Sequence, residues 1–424
     1  MLVATLLLRP SSGTTGDGGG ASPARPLPAA QPELHGDDVL LEEETLSWFH
    51  PGRWYPVRIG DVIRSRYQVL VKLGFGSVST VWLCRDLRRH RYVSLKIYET
   101  GHRQASNETV VLHHLTSLVR DGKGSRLVRT SYGDFEIPGL VGPHVCLVYD
   151  PLCMTLEDLR EYSGGKLPTY ALKPLLQVVL RGLDYLHTVA HVVHTDIQAN
   201  NIMLSTQEAN FWDELVEEEW TSPSPRKVVG DRVIYESKDV DIPDDGMPVI
   251  CDFGEAKVGD GPFIGEVMPD LYRAPEIILY IPWNEKIDIW GFGLMVWDLL
   301  EGKHLFNKRL PSRDASRGAH MARIVTLLGN PPPDFLKRSV ASVEFFDEQG
   351  NPKEELRSLN TGGSLEEEEE ALEGEDGELF LAFLRRTLQW RPEDRPTARE
   401  LLDDPWLKST EAEEDVRGDA RQTS

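Results

Sequence analysis

Val192-Val193-His194-Thr195-Asp196-Ile197-Gln198-Ala199-Asn200-Asn201-Ile202-Met203-Leu204 is the stretch on which the reading of this chain turns. Two short apolar runs flank a polar core with one His, one Asp and, five positions after that Asp, an Asn. Apolar flanks of this length read as small strands or buried loop edges that hold the polar segment rigid. Such a loop can aim a carboxylate and a carboxamide at one point, which is what metal-assisted phosphoryl transfer requires. Taken alone, the stretch is equally well a solvated loop with an ordinary Asp and Asn. The remaining chain decides between the two.

With 424 residues, 40% hydrophobic and 27% charged, the chain can build one large domain or two ordinary ones around a real core. Lys and Arg number 46 against 68 Asp and Glu, a net charge of −22. That balance argues against nucleic acid as a partner, because binding phosphates needs a basic surface. It suits basic protein substrates, although acidic tails and inserts give the same total. Cys84, Cys146, Cys153 and Cys251 show neither metal-ligand spacing nor a disulfide framework, so reduced, mostly buried thiols of an intracellular protein are expected. No apolar run approaches the ~20 residues of a membrane span. Leu2 to Leu8 is too short, and lacks the preceding charge, for a signal peptide.

Residues 1–47 are rich in Gly, Ser, Pro and Ala and are expected to be disordered, since they cannot bury enough surface to offset their ordering entropy. Residues 48–66 carry Trp48, Phe49, Trp54 and Tyr55, aromatics suited to an extension packed on the domain that follows. Tyr67 to Gly76 and Val78 to Cys84 read as strands around the turn Gly74-Phe75-Gly76-Ser77-Val78-Ser79. Glycines there let backbone amides approach phosphate oxygens that a Cβ would hold off. A dinucleotide-binding turn fits less well, because that fingerprint opens a helix and this turn runs into another strand. Tyr92 to Tyr98 alternates as a strand with Lys96 inside it, and strand lysines usually face solvent. Asn107-Glu108 follows at a helix start.

Cys146 to Leu152 is an apolar strand ending in a Pro-interrupted connector. Leu172, Leu175, Leu176, Val179, Leu180, Leu183 and Leu186 recur at helical spacing, which predicts a long core helix. Residues 205–247 form an acidic, Pro-containing insert, with a solvated excursion the expected form. Val249-Ile250-Cys251 is a buried strand followed by Asp252-Phe253-Gly254, where Asp252 could be a simple turn residue. Tyr272-Arg273-Ala274-Pro275-Glu276, the apolar helix opened by Asp288, and Trp390 to Pro396 complete the pattern. Glu366 to Glu370 and the tail 408–424 are acidic and expected to be mobile.

Taken in order, these stretches resemble the motifs of the eukaryotic protein kinases from Tyr67 to Leu407: a glycine turn, a strand lysine, a helix glutamate, the loop His194 to Asn201, Asp252-Phe253-Gly254 and Ala274-Pro275-Glu276. Within that superfamily the chain is similar to the SR-protein kinases and their fungal relatives. The similarity lies in Tyr55-Pro56-Val57-Arg58-Ile59-Gly60-Asp61, in Ser79 at the third loop position, in His194-Thr195-Asp196-Ile197, and in the insert before Asp252. The resemblance implies an α+β, bilobal protein-kinase fold: a small β-rich lobe with one main helix over 67–151, and a mainly helical lobe over 152–407. ATP lies between the lobes in that family. Asp196 would accept the proton of the substrate hydroxyl, while Asn201 and Asp252 hold Mg2+. Lys96 would hold the α- and β-phosphates with Glu108 behind it. Leu73, Gly74, Gly76, Ser79 and Val81 would cover the nucleotide. Tyr149 would border the adenine, and backbone groups of Asp150 and Leu152 would meet it. Asp288 would anchor the catalytic loop, and Arg395 would be the buried partner of Glu276.

Three departures from the family pattern bear on activity. Thr195 stands where many kinases carry Arg, and Glu255 to Leu271 contains no Ser, Thr or Tyr, so competence without phosphorylation of that segment is expected. Gln198 replaces the catalytic-loop Lys, and Pro269 replaces its companion Thr. One preorganised donor is worth ~2.7–4 kcal/mol, against a typical enzymatic total of ~8–23 kcal/mol. Its loss slows catalysis and does not abolish it. Ser316-Arg317-Gly318-Ala319 lies where SR-protein kinases carry acidic docking residues, which puts specificity for Arg-Ser repeats in doubt. The expectation is an ATP- and Mg-dependent serine/threonine kinase, a monomer of the cytoplasm or nucleus. It would act on protein substrates, including basic Arg/Ser-containing ones, and bind neither nucleic acid nor membrane. The alternative is a nucleotide-binding scaffold with little turnover; tyrosine specificity borrows only Pro269.

Overall fold

The computed structural model describes residues 21–26, 30–118, 124–306, 313–359 and 363–409. Expectations for residues 1–20, for 27–29 and for the tail beyond 409 fall outside them. The chain divides into two compact units. One takes the described residues of Met1–Ser117, Arg129–Met154 and Leu204–Met247; the other takes those of Leu118–Val128, Thr155–Met203 and Pro248–Ser424.

The first unit is built on an antiparallel sheet of six strands: β1 (Val62–Ile63), β2 (Tyr67–Phe75), β3 (Ser79–Asp86), β4 (Arg91–Tyr98), β5 (Ser131–Pro138) and β6 (Pro143–Tyr149). Their spatial order is β1-β2-β3-β4-β6-β5. Between β4 and β5 the chain forms the helix α1 (Arg103–Ser117). Val69, Trp82, Cys84, Val93, Leu95 and Ile97 gather in one apolar cluster, whereas Leu70, Val71 and Leu83 gather in another. A register shift between Val69 and Val71 explains the split, because a bulge sends the next side chain to the opposite face. Both faces of the sheet are therefore covered, which is why Tyr67 to Lys72 is buried without alternation.

The second cluster is completed by Leu215 and Val216 of the helix Phe211–Thr221, with Trp212 and Trp220 packed beside them. The insert 205–247 is thus no solvated excursion. It contributes that helix and a hairpin of Arg226–Val229 with Arg232–Tyr235, and it belongs to the β-rich unit rather than to the helical part in which it was expected. The physical reason is apolar: without Leu215 and Val216, Leu70, Val71 and Leu83 would face water.

Residues 30–47 also depart from the disorder expected of them. Glu42–Thr45 forms a 3-10 turn whose acids meet two buried lysines. Lys72 Nζ, in a side chain 1% exposed, lies 2.8 Å from Glu42 and 2.5 Å from Glu43 and donates to the Tyr235 carbonyl at 2.9 Å. Lys227 pairs with Glu44 at 2.5 Å and donates to the Val39 carbonyl. A buried ammonium needs such partners, and composition does not show where they come from.

In the helical unit the periodic leucines form the helix Thr169–Tyr185, burying Leu172, Leu176, Val179, Leu180 and Leu183. The helix Lys286–Glu301 is buried on every side from Ile287 onward, as a helix apolar on all faces must be, and the acids it carries, Asp288, Asp298 and Glu301, are buried with it. Glu366 to Glu370 is ordered: Ser364 caps a short helix over Leu365–Glu368, and the Glu370 and Ala371 amides donate to Glu301. All four cysteines are free and buried. Among the described residues no helix is long and apolar enough to cross a membrane.

Arg395 meets Glu276 through two parallel hydrogen bonds, 2.6 and 2.7 Å, both side chains fully enclosed. Glu276→Ala strands that guanidinium, so the urea-unfolding free energy should fall by roughly 3–5 kcal/mol; a loss below 1 kcal/mol would mean that the pair is solvated. His320 is buried and donates from Nε2 to the Arg273 carbonyl at 3.0 Å; burial pulls its pKa down from 6.5 to about 4. The folded state therefore holds it neutral while the unfolded chain takes up a proton near 6.5. The stability it contributes is whole above that pH and is lost as the pH falls towards 4. His320→Gln should flatten this part of the decline in urea midpoints.

Candidate functional site

In the β-rich unit, Lys96 lies mid-strand in β4, opposite Val81 of β3 and Leu147 of β6, and is buried. The solvent-facing position usual for a strand lysine does not apply. Its Nζ donates to Glu108 Oε2 at 2.9 Å, with the glutamate side chain 2% exposed. Glu108 sits in the middle of the buried stripe of α1, between Ala105 and Val111. Tyr98 and Tyr149 also donate to it, the first to Oε2 and the second to Oε1 at 3.0 Å.

The turn between β2 and β3 is closed by a bond from the Gly76 amide to the Ser79 carbonyl, 2.8 Å. A Cβ added at Gly74 would meet no atom within 4 Å, and at Gly76 only the Ser79 hydroxyl at 3.5 Å. Neither glycine is demanded by internal packing or by a positive φ. Close approach of an outside group to the backbone remains as the physical reason for them. Leu73 packs against the Leu70–Val71 cluster, Val81 pairs across from Gly74, and Leu152 is buried. The Asp150 carbonyl accepts from Ser94 Oγ at 3.3 Å, and its carboxylate takes the Tyr132 hydroxyl. Tyr149, expected beside a nucleotide base, directs its hydroxyl to Glu108.

In the helical unit the loop after Val193 hangs on one buried carboxylate. Asp288 accepts the His194 amide on Oδ2 and the Thr195 amide on Oδ1, both at 2.8 Å, and His187 at 2.9 Å. This is the anchoring expected of it. Thr195 is held at φ 70° with its hydroxyl on the Glu255 carbonyl, 3.1 Å. His194 donates from Nε2 to the Cys251 carbonyl at 2.9 Å and accepts the Asp196 amide on Nδ1 at 3.3 Å.

Asp196 is aimed by two carboxamides. Gln198 Nε2 donates to Oδ1 and Asn201 Nδ2 to Oδ2, each at 2.8 Å. Asn201 in turn accepts the Cys251 amide on its backbone carbonyl, which ties the loop to the residue before Asp252. Burial pushes the Asp196 carboxyl up to about 6; the nearby Asp252 charge adds to this, while His194, Asn201 and Gln198 oppose it. Asp252 is exposed, at φ 63°, and accepts the Gly254 amide. Asp196, Asn201 and Asp252 therefore come together within this unit. Among the described residues no group of three or more His, Cys, Asp or Glu could hold a metal ion. A carboxylate and a carboxamide fit magnesium, a hard cation that keeps waters and phosphate oxygens among its ligands.

Sequence reasoning missed Tyr98 and Trp48. Tyr98 stands two residues beyond Lys96, so strand alternation puts both on one face, and that signal was available. The Trp48 indole donates to the Ser77 carbonyl at the tip of the glycine turn, 2.8 Å away, and only tertiary structure reveals it.

The protein kinase domain model matches residues 67–407. A serine/threonine protein kinase of Aspergillus fumigatus is 44% identical over 374 residues, covering 87% of this chain and 91% of that protein. The serine/threonine-protein kinase SRPK of Physarum polycephalum is 30% identical over 404 residues, covering 88% and 93%. SRSF protein kinase 3 of Mus musculus is 27% identical, covering 94% and 96%. The crystal structure of a kinase domain shares the fold with TM-score 0.64 at 20% identity, covering 84% of this chain and 99% of that one. The chain belongs to the protein kinase family, as an enzyme of its serine/threonine class with similarity to the SR-protein kinases.

Asp288→Ala removes the acceptor of two buried amides and of His187. Urea unfolding should show a loss of about 3 kcal/mol or more; an unchanged midpoint would mean that the loop is fastened elsewhere.

Proposed function

We propose that this kinase is catalytically competent and transfers the γ-phosphate of ATP to serine or threonine hydroxyls of protein substrates. The observation that carries this reading is the aimed carboxylate: Asp196 holds both of its oxygens in fixed directions through Gln198 and Asn201. Gln198 thus supplies at one oxygen of Asp196 a donor in the position where most of the family carries lysine. It brings no cation, which predicts slower turnover without loss of the reaction. The incoming hydroxyl gives its proton to Asp196, whose raised pKa suits a proton acceptor working near neutrality. Lys96, placed by Glu108, would meet the α- and β-phosphates, and the Gly74–Ser79 backbone with Leu73 and Val81 would cover the nucleotide. Asn201 and Asp252 would hold magnesium, which when bound neutralises phosphate charge.

Two further features support activity without phosphorylation between Glu255 and Leu271. The segment has no acceptor hydroxyl, and Thr195 is fastened to the Glu255 backbone instead of presenting a cation to a phosphate. For substrate choice, the similarity to the SRPK and SRSF kinases supports basic, Arg/Ser-containing proteins as the first class to test. At 316–319, however, Arg317 is largely enclosed: it lies over the Tyr280 ring, hydrogen-bonds the Ile278 carbonyl and pairs with Glu344 at 3.3 Å, so this stretch adds no acidic group for an incoming basic segment. A scaffold without turnover is the competing reading, favoured by the missing lysine at 198.

Phosphate transfer to a basic serine peptide, with ATP and Mg2+, separates the two. Asp196→Asn should lower kcat by roughly 10²–10⁴-fold while leaving ATP binding in place. Chelation of Mg2+ should stop the reaction, and prior phosphatase treatment should leave it unchanged. Equal background rates in wild type and variant, with ATP still bound, would establish the scaffold.

A further inference from the structure

The proposed function needs the Lys96–Glu108 pair in place, and in many kinases phosphorylation of the activation segment controls that condition. This chain has no hydroxyl to phosphorylate between Glu255 and Leu271. Something else has to hold α1 where Glu108 meets Lys96. Apart from Glu108, the buried residues of α1 are Ala105, Val111, Leu112 and Leu115. Apolar contacts of that kind are non-directional and tolerate small shifts or rolls of a helix.

Besides the exposed His113–Asp134 pair at 2.5 Å, three buried directional contacts meet on the glutamate. Tyr98 and Lys96 reach Oε2, and Tyr149 reaches Oε1 at 3.0 Å. Both tyrosines are 1% exposed. Tyr98 comes from β4 and Tyr149 from the end of β6, so two strands of the sheet grip one side chain of the helix. Each ring is itself held: Lys96 Nζ lies 4.9 Å from the Tyr98 ring centroid, and the Arg129 guanidinium lies 4.2 Å from that of Tyr149. Burial keeps Tyr149 a neutral phenol, able only to donate to a carboxylate. When Lys96 turns towards phosphate during a catalytic cycle, both phenols can keep their bonds to Glu108.

We propose that Tyr98 and Tyr149 are positioning residues that lock α1 in its active placement through Glu108, replacing the control that activation-segment phosphorylation exerts elsewhere. For turnover this rests on the phosphotransfer reading; for the placement of α1 it does not.

The test uses the full chain with Tyr98→Phe, Tyr149→Phe and the double substitution, each alone and combined with Glu108→Gln, after thermal melting has confirmed folding. Amide hydrogen exchange across Arg103–Ser117 should speed up roughly tenfold per lost hydroxyl, the size of one charge-assisted hydrogen bond. Exchange in β2 and β3 should stay unchanged. kcat/KM for ATP should fall by a similar factor for each variant, with the peptide KM unaffected. In the Glu108→Gln background the tyrosine substitutions should have little further effect in either measurement.

Exchange in α1 as slow in the double variant as in wild type would overturn the proposal. So would an undiminished effect in the Glu108→Gln background, since the rings would then act by packing alone. If wild type and Asp196→Asn show equal background rates, the phosphotransfer reading fails, and the exchange measurement still decides the lock. A variant that does not fold is replaced by the single substitution at the other tyrosine, where the same exchange criterion applies.

Discussion

A carboxylate taken out of water has to find donors, and at Glu108 they arrive from two strands of the sheet. Lys96 and Tyr98 stand two residues apart in β4 and Tyr149 ends β6, yet all three end on one side chain. That convergence ties α1 to the sheet through one side chain, and with it the place of Lys96. The same constraint orders the helical unit. Asp288 gathers the His194 and Thr195 amides and thereby sets the loop that carries Asp196. Glu276 takes both arms of Arg395. Buried charges of this kind do not add much net stability, because desolvation offsets their attraction. Their effect is to leave one arrangement in which every group is satisfied, and the chemistry needs one arrangement.

The excess of acid has a structural side as well. Glu42, Glu43 and Glu44 are spent on two lysines that would otherwise be stranded, one in β2 and one in the insert hairpin. Glu219 is consumed by Arg226 and Ser224. The N-terminal segment and the insert thus behave as parts of the β-rich unit. A count of charges cannot distinguish such internal pairing from a surface that attracts a basic partner.

Much of the candidate site was legible in the chain because each residue is bound to its chemistry by local context. Asp196 and Asn201 share a loop with apolar edges, Asp252 ends a buried strand, and Lys96 alternates within one. The helix from Thr169 and the strands around Gly74 follow from periodicity alone. Less legible were the features that rest on long-range pairing. Composition marked 30–47 and 205–247 as unstructured, but Lys72 reaches Tyr235 across 163 positions, and Val216 covers Leu70 and Val71 only once the sheet exists. The unbroken apolar run from Val69 to Val71 hinted at a sheet covered on both faces, without saying by what.

By itself the sequence determined the family, the order of the elements and the residue types proposed for phosphoryl transfer, because these depend on spacing and on side-chain chemistry within short windows. Tertiary structure alone decided which donors meet Glu108 and where the acidic segments go. Those outcomes depend on hydrogen bonds and burial between residues far apart in the chain, and no local pattern encodes a partner that only folding brings within 3 Å.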